Sequence, residues 1–168
     1  MITIRRISAD NPFYQQAIAL REWALLRPIG LDFQAWLEKF PGYEERMEHF
    51  VAILDHPDGP RVVGCAGLVV EQEAGRGRVV QMAVDPQRQG EGIGRRLLSA
   101  VEARAIGDLG LSTLYCHAQS SAVGFYERQG WQAVDEEFEE AGIPHRVMTM
   151  AGSGPDLQAS GPEAFAPQ

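Results

Sequence analysis

The chain has 168 residues, enough for one domain with its own core and too few for two ordinary ones. Apolar residues make up 45% and charged residues 23%, the balance of a globular protein, and 15 basic against 23 acidic side chains give a net charge of −8. That charge argues against a nucleic-acid partner and modestly favours cationic acceptors such as amines; it does not exclude a phosphorylated ligand, because backbone N–H groups at a helix N-terminus supply positive potential that a formal count ignores.

Met1 to Arg6 lacks the basic-then-apolar layout of a signal peptide, and no apolar run approaches the length that spans a bilayer. The expectation is a cytoplasmic protein with no membrane partner. Ile2, Ile4 and Ile7 suggest a short first strand, and Asn11-Pro12 opens a helical pattern through Ala17, Leu20, Ala24 and Leu25 that Pro28 and Gly30 end. Phe33, Trp36, Leu37 and Phe40 recur at helical spacing, an aromatic stripe expected to pack against a sheet. Phe50 to Leu54 reads as a strand, Asp58-Gly59 as its turn, and Arg61 to Val70 as the second arm of a hairpin. A turn at Gly75-Arg76-Gly77 leads into a strand from Val79 to Val84.

Asp85-Pro86 stops that strand. After a glycine-rich stretch comes a helix with Ile93, Leu97, Val101 and Ala105 on one face, closing near Gly107 and Gly110. Thr113 to His117 alternates as the next strand. It is joined to Val79–Val84 by a helix, which makes the two strands parallel neighbours. Ser120 or Ser121 is a candidate N-cap for a short helix holding Val123, Phe125 and Tyr126, and Gly130 ends it. Two last strands, Trp131 to Phe138 and Pro144 to Met150, flank Gly142. From Ala151 to Gln168 the composition turns to Gly, Ser, Pro and Ala, which reads as a flexible tail after a single domain over 1–150.

Cys65 and Cys116 fall among apolar neighbours and read as buried reduced thiols, and His49, His56, His117 and His145 are too scattered to suggest a metal. Lys39 is the only lysine.

The stretch Gln87 to Arg96 carries glycines at 90, 92 and 94 between a strand and a helix. Side chains are removed where backbone must approach a ligand. Exposed N–H groups at a helix start, aided by its dipole, suit a pyrophosphate, with Arg88, Arg95 or Arg96 in reach of further phosphates. A plain Gly-rich loop capping a helix is the alternative. A P-loop is excluded because Arg95 follows Gly94, and a dinucleotide fingerprint because no acidic residue ends a second parallel strand.

Gln89, Gly92 and Gly94 fit Arg/Gln-x-x-Gly-x-Gly/Ala directly after a strand, and with "MAVDPQRQGEGIGRRLL", "HAQSSAVGFYERQGW" and "EAGIPHRVM" the sequence resembles the GNAT superfamily of acyl-CoA-dependent N-acetyltransferases, the last segment resembling one subgroup. The resemblance implies an α/β fold: a single mixed, largely antiparallel sheet, splayed between two central parallel strands, with helices on both faces. It implies acetyl-CoA as acyl donor and no metal. Backbone groups of Met82, Ala83 and Val84 would pair with the pantetheine arm as an added strand. Gln89, Gly90, Glu91, Gly92, Ile93, Gly94 and Arg95 would cradle the pyrophosphate. Gln119 stands where the family often has asparagine, and Tyr126 where it commonly carries a tyrosine that protonates the leaving thiolate.

An alkylamine with a pKa near 10.4 is mostly protonated at neutral pH, so presenting it as a nucleophile costs about 4–5 kcal/mol and calls for a base. Glu137, Glu140 and His145 are the candidates, His145 first, and with Arg27 the two glutamates are candidates for holding the acceptor. Against these roles stand ordinary ones: solvated strand-end charges, a structural histidine, an arginine capping a helix C-terminus. The expected function is N-acetylation of a small-molecule or peptide amine, with a second copy of the chain, as a homodimer, a candidate partner. A non-catalytic acyl-CoA-binding or sensing module and an interaction domain built on the aromatic stripe are the competing readings.

Overall fold

A computed structural model describes residues 1–150, so the tail expected from Ala151 lies outside the described residues. Seven strands form one sheet: β1 (Ile2–Ile7), β2 (Met47–Leu54), β3 (Arg61–Glu71), β4 (Arg76–Val84), β5 (Thr113–Gln119), β6 (Gln132–Glu140) and β7 (Ile143–Met150), in the order β1-β2-β3-β4-β5-β7-β6. Only β4 and β5 are parallel, which is the mixed α/β sheet expected. β4 starts three residues earlier than the sequence suggests, because the turn before it is a 3-10 turn, Gln72–Ala74, closed by Gly75 at φ 63°.

The helices α1 (Phe13–Arg21), α2 (Phe33–Lys39), α3 (Ile93–Glu102) and α4 (Val123–Arg128) cover both faces. The i, i+4 spacing of Ile93, Leu97 and Val101 on α3, continued by Ala105 in the π-helical turn Ala103–Asp108 that follows, turns all four toward the sheet, where they are buried with Ala52, Val63, Leu68 and Leu114. Full burial of each large aliphatic side chain contributes about 1.5–3 kcal/mol. The opposite face packs Ile18, Leu20 and Leu25 on Val51, Ile53, Cys65 and Ala83, and Trp36 and Phe40 of the aromatic stripe on Val69 and Val80. Trp36 is fully buried. Asp32 caps α2 by accepting from the Ala35 N–H at 2.7 Å. The expected serine cap on α4 is absent: Ala122 precedes the helix, and Ser120 Oγ instead donates to Glu137 at 2.9 Å.

Two irregularities make room at the centre of the sheet. The β4–β5 ladder runs only through Arg76↔Thr113, Gly77↔Leu114 and Arg78↔Tyr115, after which the strands separate. On its other side β4 bulges. Cys65 pairs with Ala83 and Gly67 with Val80, so two steps on β3 match three on β4, and Gln81 takes φ 51°.

A buried polar network braces that bulge. Arg21 of α1 donates from Nε to Gln81 Oε1 at 3.0 Å and forks onto Glu44 at 2.7 and 2.8 Å, while Tyr14 Oη donates to Glu44 at 2.6 Å. Burial alone would raise the Glu44 carboxyl; the Arg21 hydrogen bonds and charge, with Tyr14, pull it below its ordinary value.

Candidate active site

Past the last β4–β5 pair lies a cleft of about 490 Å³. Met82, Ala83 and Val84 form one wall; Gln89, Gly90, Gly92, Ile93, Gly94 and Arg95 form its end; Gln119, Phe125 and Tyr126 close the other side. Nearly all the residues singled out for acyl-CoA therefore meet in one place. Glu91 is the exception, turned out of the cleft and paired with Arg88 at 3.5 Å. Arg96 also points elsewhere, donating to the Ile2 carbonyl at 2.8 Å, because it sits about 100° around α3 from Arg95. Arg88 and Arg128 supply basic groups at the rim, the second unforeseen.

The glycines have separate reasons. Gly92 is the residue before α3 and takes φ 81°, a left-handed conformation that L-residues avoid. Gly94 lets Phe125 approach closely: a Cβ there would lie 3.3 Å from the ring, tighter than ordinary contact. The first-turn N–H groups of α3 have no preceding carbonyls within the helix, and with the positive end of the dipole they could hold an anion at this end of the cleft. Phe125, expected as core, is half-buried and lines the cleft.

Tyr126 is 2% exposed, with its ring against Trp131 and Phe125 and its hydroxyl donating to Met82 Sδ at 3.7 Å. That contact sets the hydroxyl beside Met82, on the β4 edge that lines the cleft. Burial, then the neighbouring Cys116, holds the phenol well above its ordinary value, so it stays protonated. Cys65 and Cys116 are free and buried, and burial pushes their thiols up to about 11 and about 12.

Residues 31–151 match the acetyltransferase (GNAT) domain family. The chain belongs to the GNAT acetyltransferase family. An amino-acid acetyltransferase of Neisseria meningitidis is 35% identical over 114 residues, 68% of this chain and 25% of that protein. A Lactobacillus plantarum protein assigned as an N-acetyltransferase has a crystal structure that superposes with a TM-score of 0.72 at 25% identity, covering 88% of this chain and 96% of that one. A GNAT acetyltransferase of Elizabethkingia anophelis, solved with acetyl-CoA bound, gives 0.64 at 20% identity over 89% and 97%.

The acceptor candidates of this GNAT chain divide. His145 is 1% exposed on β7, paired with Gln119 of β5, and its Nδ1 donates to the Ile143 carbonyl at 2.7 Å. In the neutral ring Nε2 then carries the lone pair, and it lies 3.9 Å from Glu140 Oε2. Glu140 Oε1 accepts from His117 Nδ1 at 3.0 Å. Burial lowers the His117 imidazole, the Glu140 hydrogen bond opposes this, and the Arg78 charge adds to the lowering. Glu137 is exposed and engaged with Ser120, and Arg27 is exposed on a 3-10 turn, so neither joins this cluster.

His117, Arg78 and the Arg21–Glu44–Gln81 brace are the residues that sequence reasoning missed. The available signal was a charge inside an otherwise apolar strand, Arg78 before Val79-Val80. Among the described residues no group of three or more His, Cys, Asp and Glu is arranged to hold a metal ion, and no helix is long and apolar enough to cross a membrane.

Proposed function

We propose that the chain is an N-acetyltransferase that moves an acetyl group from acetyl-CoA to a primary amine by direct attack in a ternary complex. The observation that carries this reading is the cleft itself. An open strand edge, a glycine-spaced helix start and a buried tyrosine hydroxyl converge at the point where β4 and β5 separate.

Each part has a task. The α3 N-terminus, with Arg88 and Arg95, takes the pyrophosphate. Met82 to Val84 pair with the extended arm as a strand would, and a backbone N–H of that segment stabilises the oxyanion. His145 Nε2 accepts the ammonium proton, the freed amine forms the C–N bond as the C–S bond breaks, the second proton lost by that nitrogen passes to the departing thiolate to give the CoA thiol, and Tyr126 donates a hydrogen bond to that sulfur as it leaves. The "GIPH" segment places His145 on the second strand of the last hairpin, within reach of Glu140. The Neisseria relative's amino-acid acceptor supports a small amine here.

The test is thiol release from acetyl-CoA against a panel of primary amines. Acceptor-dependent release at a saturable rate is expected. Tight acetyl-CoA binding with no turnover on any amine would sink the transfer and leave a binding module.

A further inference from the structure

On the sheet face opposite α3, the structure leaves buried donors without acceptors and acceptors without donors. Arg78 is 3% exposed, and its Nε and Nη2 have no hydrogen-bond partner among the described residues. His117 Nε2, His145 Nε2 and Glu140 Oε2 are likewise unpartnered. His145 Nε2 and Glu140 Oε2 stand 3.9 Å apart, beyond hydrogen-bond length. With the His145 ring neutral both are acceptors, and none of the described residues places a donor between them. Leaving such groups buried and unmatched is costly, which makes the cluster a poor structural device and a prepared ligand site.

The register says how the groups are disposed. Arg78 pairs with Tyr115. Continued along the separating strands, Val80 would stand level with His117 and Met82 with Gln119, whose partner on β7 is His145. The acceptor pair Glu140–His145 thus lies at the open end of the splay, near the thioester's expected position. Arg78 lies at the closed end, about 13 Å back along β4 at roughly 3.3 Å per residue. Its guanidinium is 5.8 Å from the Tyr115 ring centroid and close enough to His117 and Tyr43 to shift both.

We infer that this cluster is the acceptor subsite and that it selects amines that also carry a carboxylate several bonds from the nitrogen, the chemistry of an ω-amino acid. The ammonium N–H groups occupy Glu140 Oε2 and His145 Nε2, and the carboxylate takes the Arg78 Nε and Nη2 donors. Polyamines and plain alkylamines satisfy the first half only. This assignment rests on the acetyl-transfer reading for its purpose, but not for its binding chemistry.

The experiment uses the full chain, acetyl-CoA, and free amino acids from α- through γ- to longer ω-amino acids, each beside its carboxamide. The best amino acid is expected to exceed its carboxamide in kcat/KM by about 10- to 100-fold, the worth of a hydrogen bond to a charged group. In Arg78→Gln that ratio collapses toward one, and Arg78→Lys, which keeps the charge without the fork, falls between. The wild-type ratio is independent of any variant's folding. Carboxamides used as well as acids, or a preference unchanged in Arg78→Gln, overturns the inference while acetyl transfer stands. No thiol release with any amine overturns the transfer reading instead. Calorimetric binding of the same amino acids to wild type, lost with their carboxamides, would then still support the subsite; its absence would remove that too.

Discussion

Replacing Tyr126 by phenylalanine removes one oxygen and leaves the ring contacts with Phe125 and Trp131 in place. In the resting protein the hydroxyl reaches the Met82 thioether at 3.7 Å and neighbours the Cys116 thiol, both weak partners, so the folded state should lose about 1 kcal/mol. The neutral thioester sulfur is also a weak acceptor, so acetyl-CoA affinity should stay within about twofold. The departing thiolate is different: a hydrogen bond to a charged group is worth about 1.5–3 kcal/mol, or about 10- to 150-fold in kcat. Because burial raises the phenol well above a thiol's pKa of about 8.5, Tyr126 acts as a hydrogen-bond donor to the thiolate, and its ionisation produces no fall in rate up to about pH 10. Initial rates of thiol release, set beside calorimetric acetyl-CoA binding, measure both quantities. A kcat within twofold of wild type would refute the role. A dissociation constant that rises by the factor by which kcat falls would make Tyr126 a wall of the cleft and no more.

Gly92→Ala forces an alanine into φ 81°, costing about 1–2 kcal/mol; Tm should fall by about 2–8 °C and acetyl-CoA binding should weaken, and an unchanged melting curve would show that the loop has another conformation. Glu44→Gln breaks the buried fork from Arg21, costing about 3–5 kcal/mol at neutral pH by urea unfolding. Because Glu44 titrates below its ordinary 4.5 when folded, its contribution is present above that value and is lost as pH falls through the folded one. The gap between wild type and variant should therefore close in acid, and a gap constant with pH would contradict the assignment. His145→Gln should leave only amine that is already deprotonated, so kcat/KM should climb about tenfold per pH unit toward the amine's pKa. A wild-type pH profile in the variant would remove His145 as base.

The strand–turn–helix that forms the cleft's end was legible because its signals are local. Glycine spacing, the stop at Pro86 and the four-residue period of Ile93, Leu97 and Val101 lie within some fifteen positions and obey backbone rules. The order of β4 and β5 followed from the helix between them. The bulge at Gln81 could not be read: it depends on Arg21, sixty residues away, and on Glu44 between them, contacts that no periodicity encodes. Arg96 looked equivalent to Arg95 until helical rotation turned it onto β1. On the acceptor side, Glu137 and Glu140 were indistinguishable in a run of acids. The register irregularity between Val134 and Phe138 sends Glu140 to His117 and leaves Glu137 with Ser120. Arg78 was overlooked because a charge in a strand does not announce which face it occupies.

Direct transfer in a ternary complex is tested most plainly by intact-protein mass measurement. The chain is incubated with acetyl-CoA alone and then given an accepted amine. With the cysteines buried and their thiols raised, the account predicts a protein of unchanged mass before the amine is added, then one acetylated amine for each CoA thiol released. An acetylated protein that passes its acetyl group on to the amine, or thiol release without amide, would contradict it.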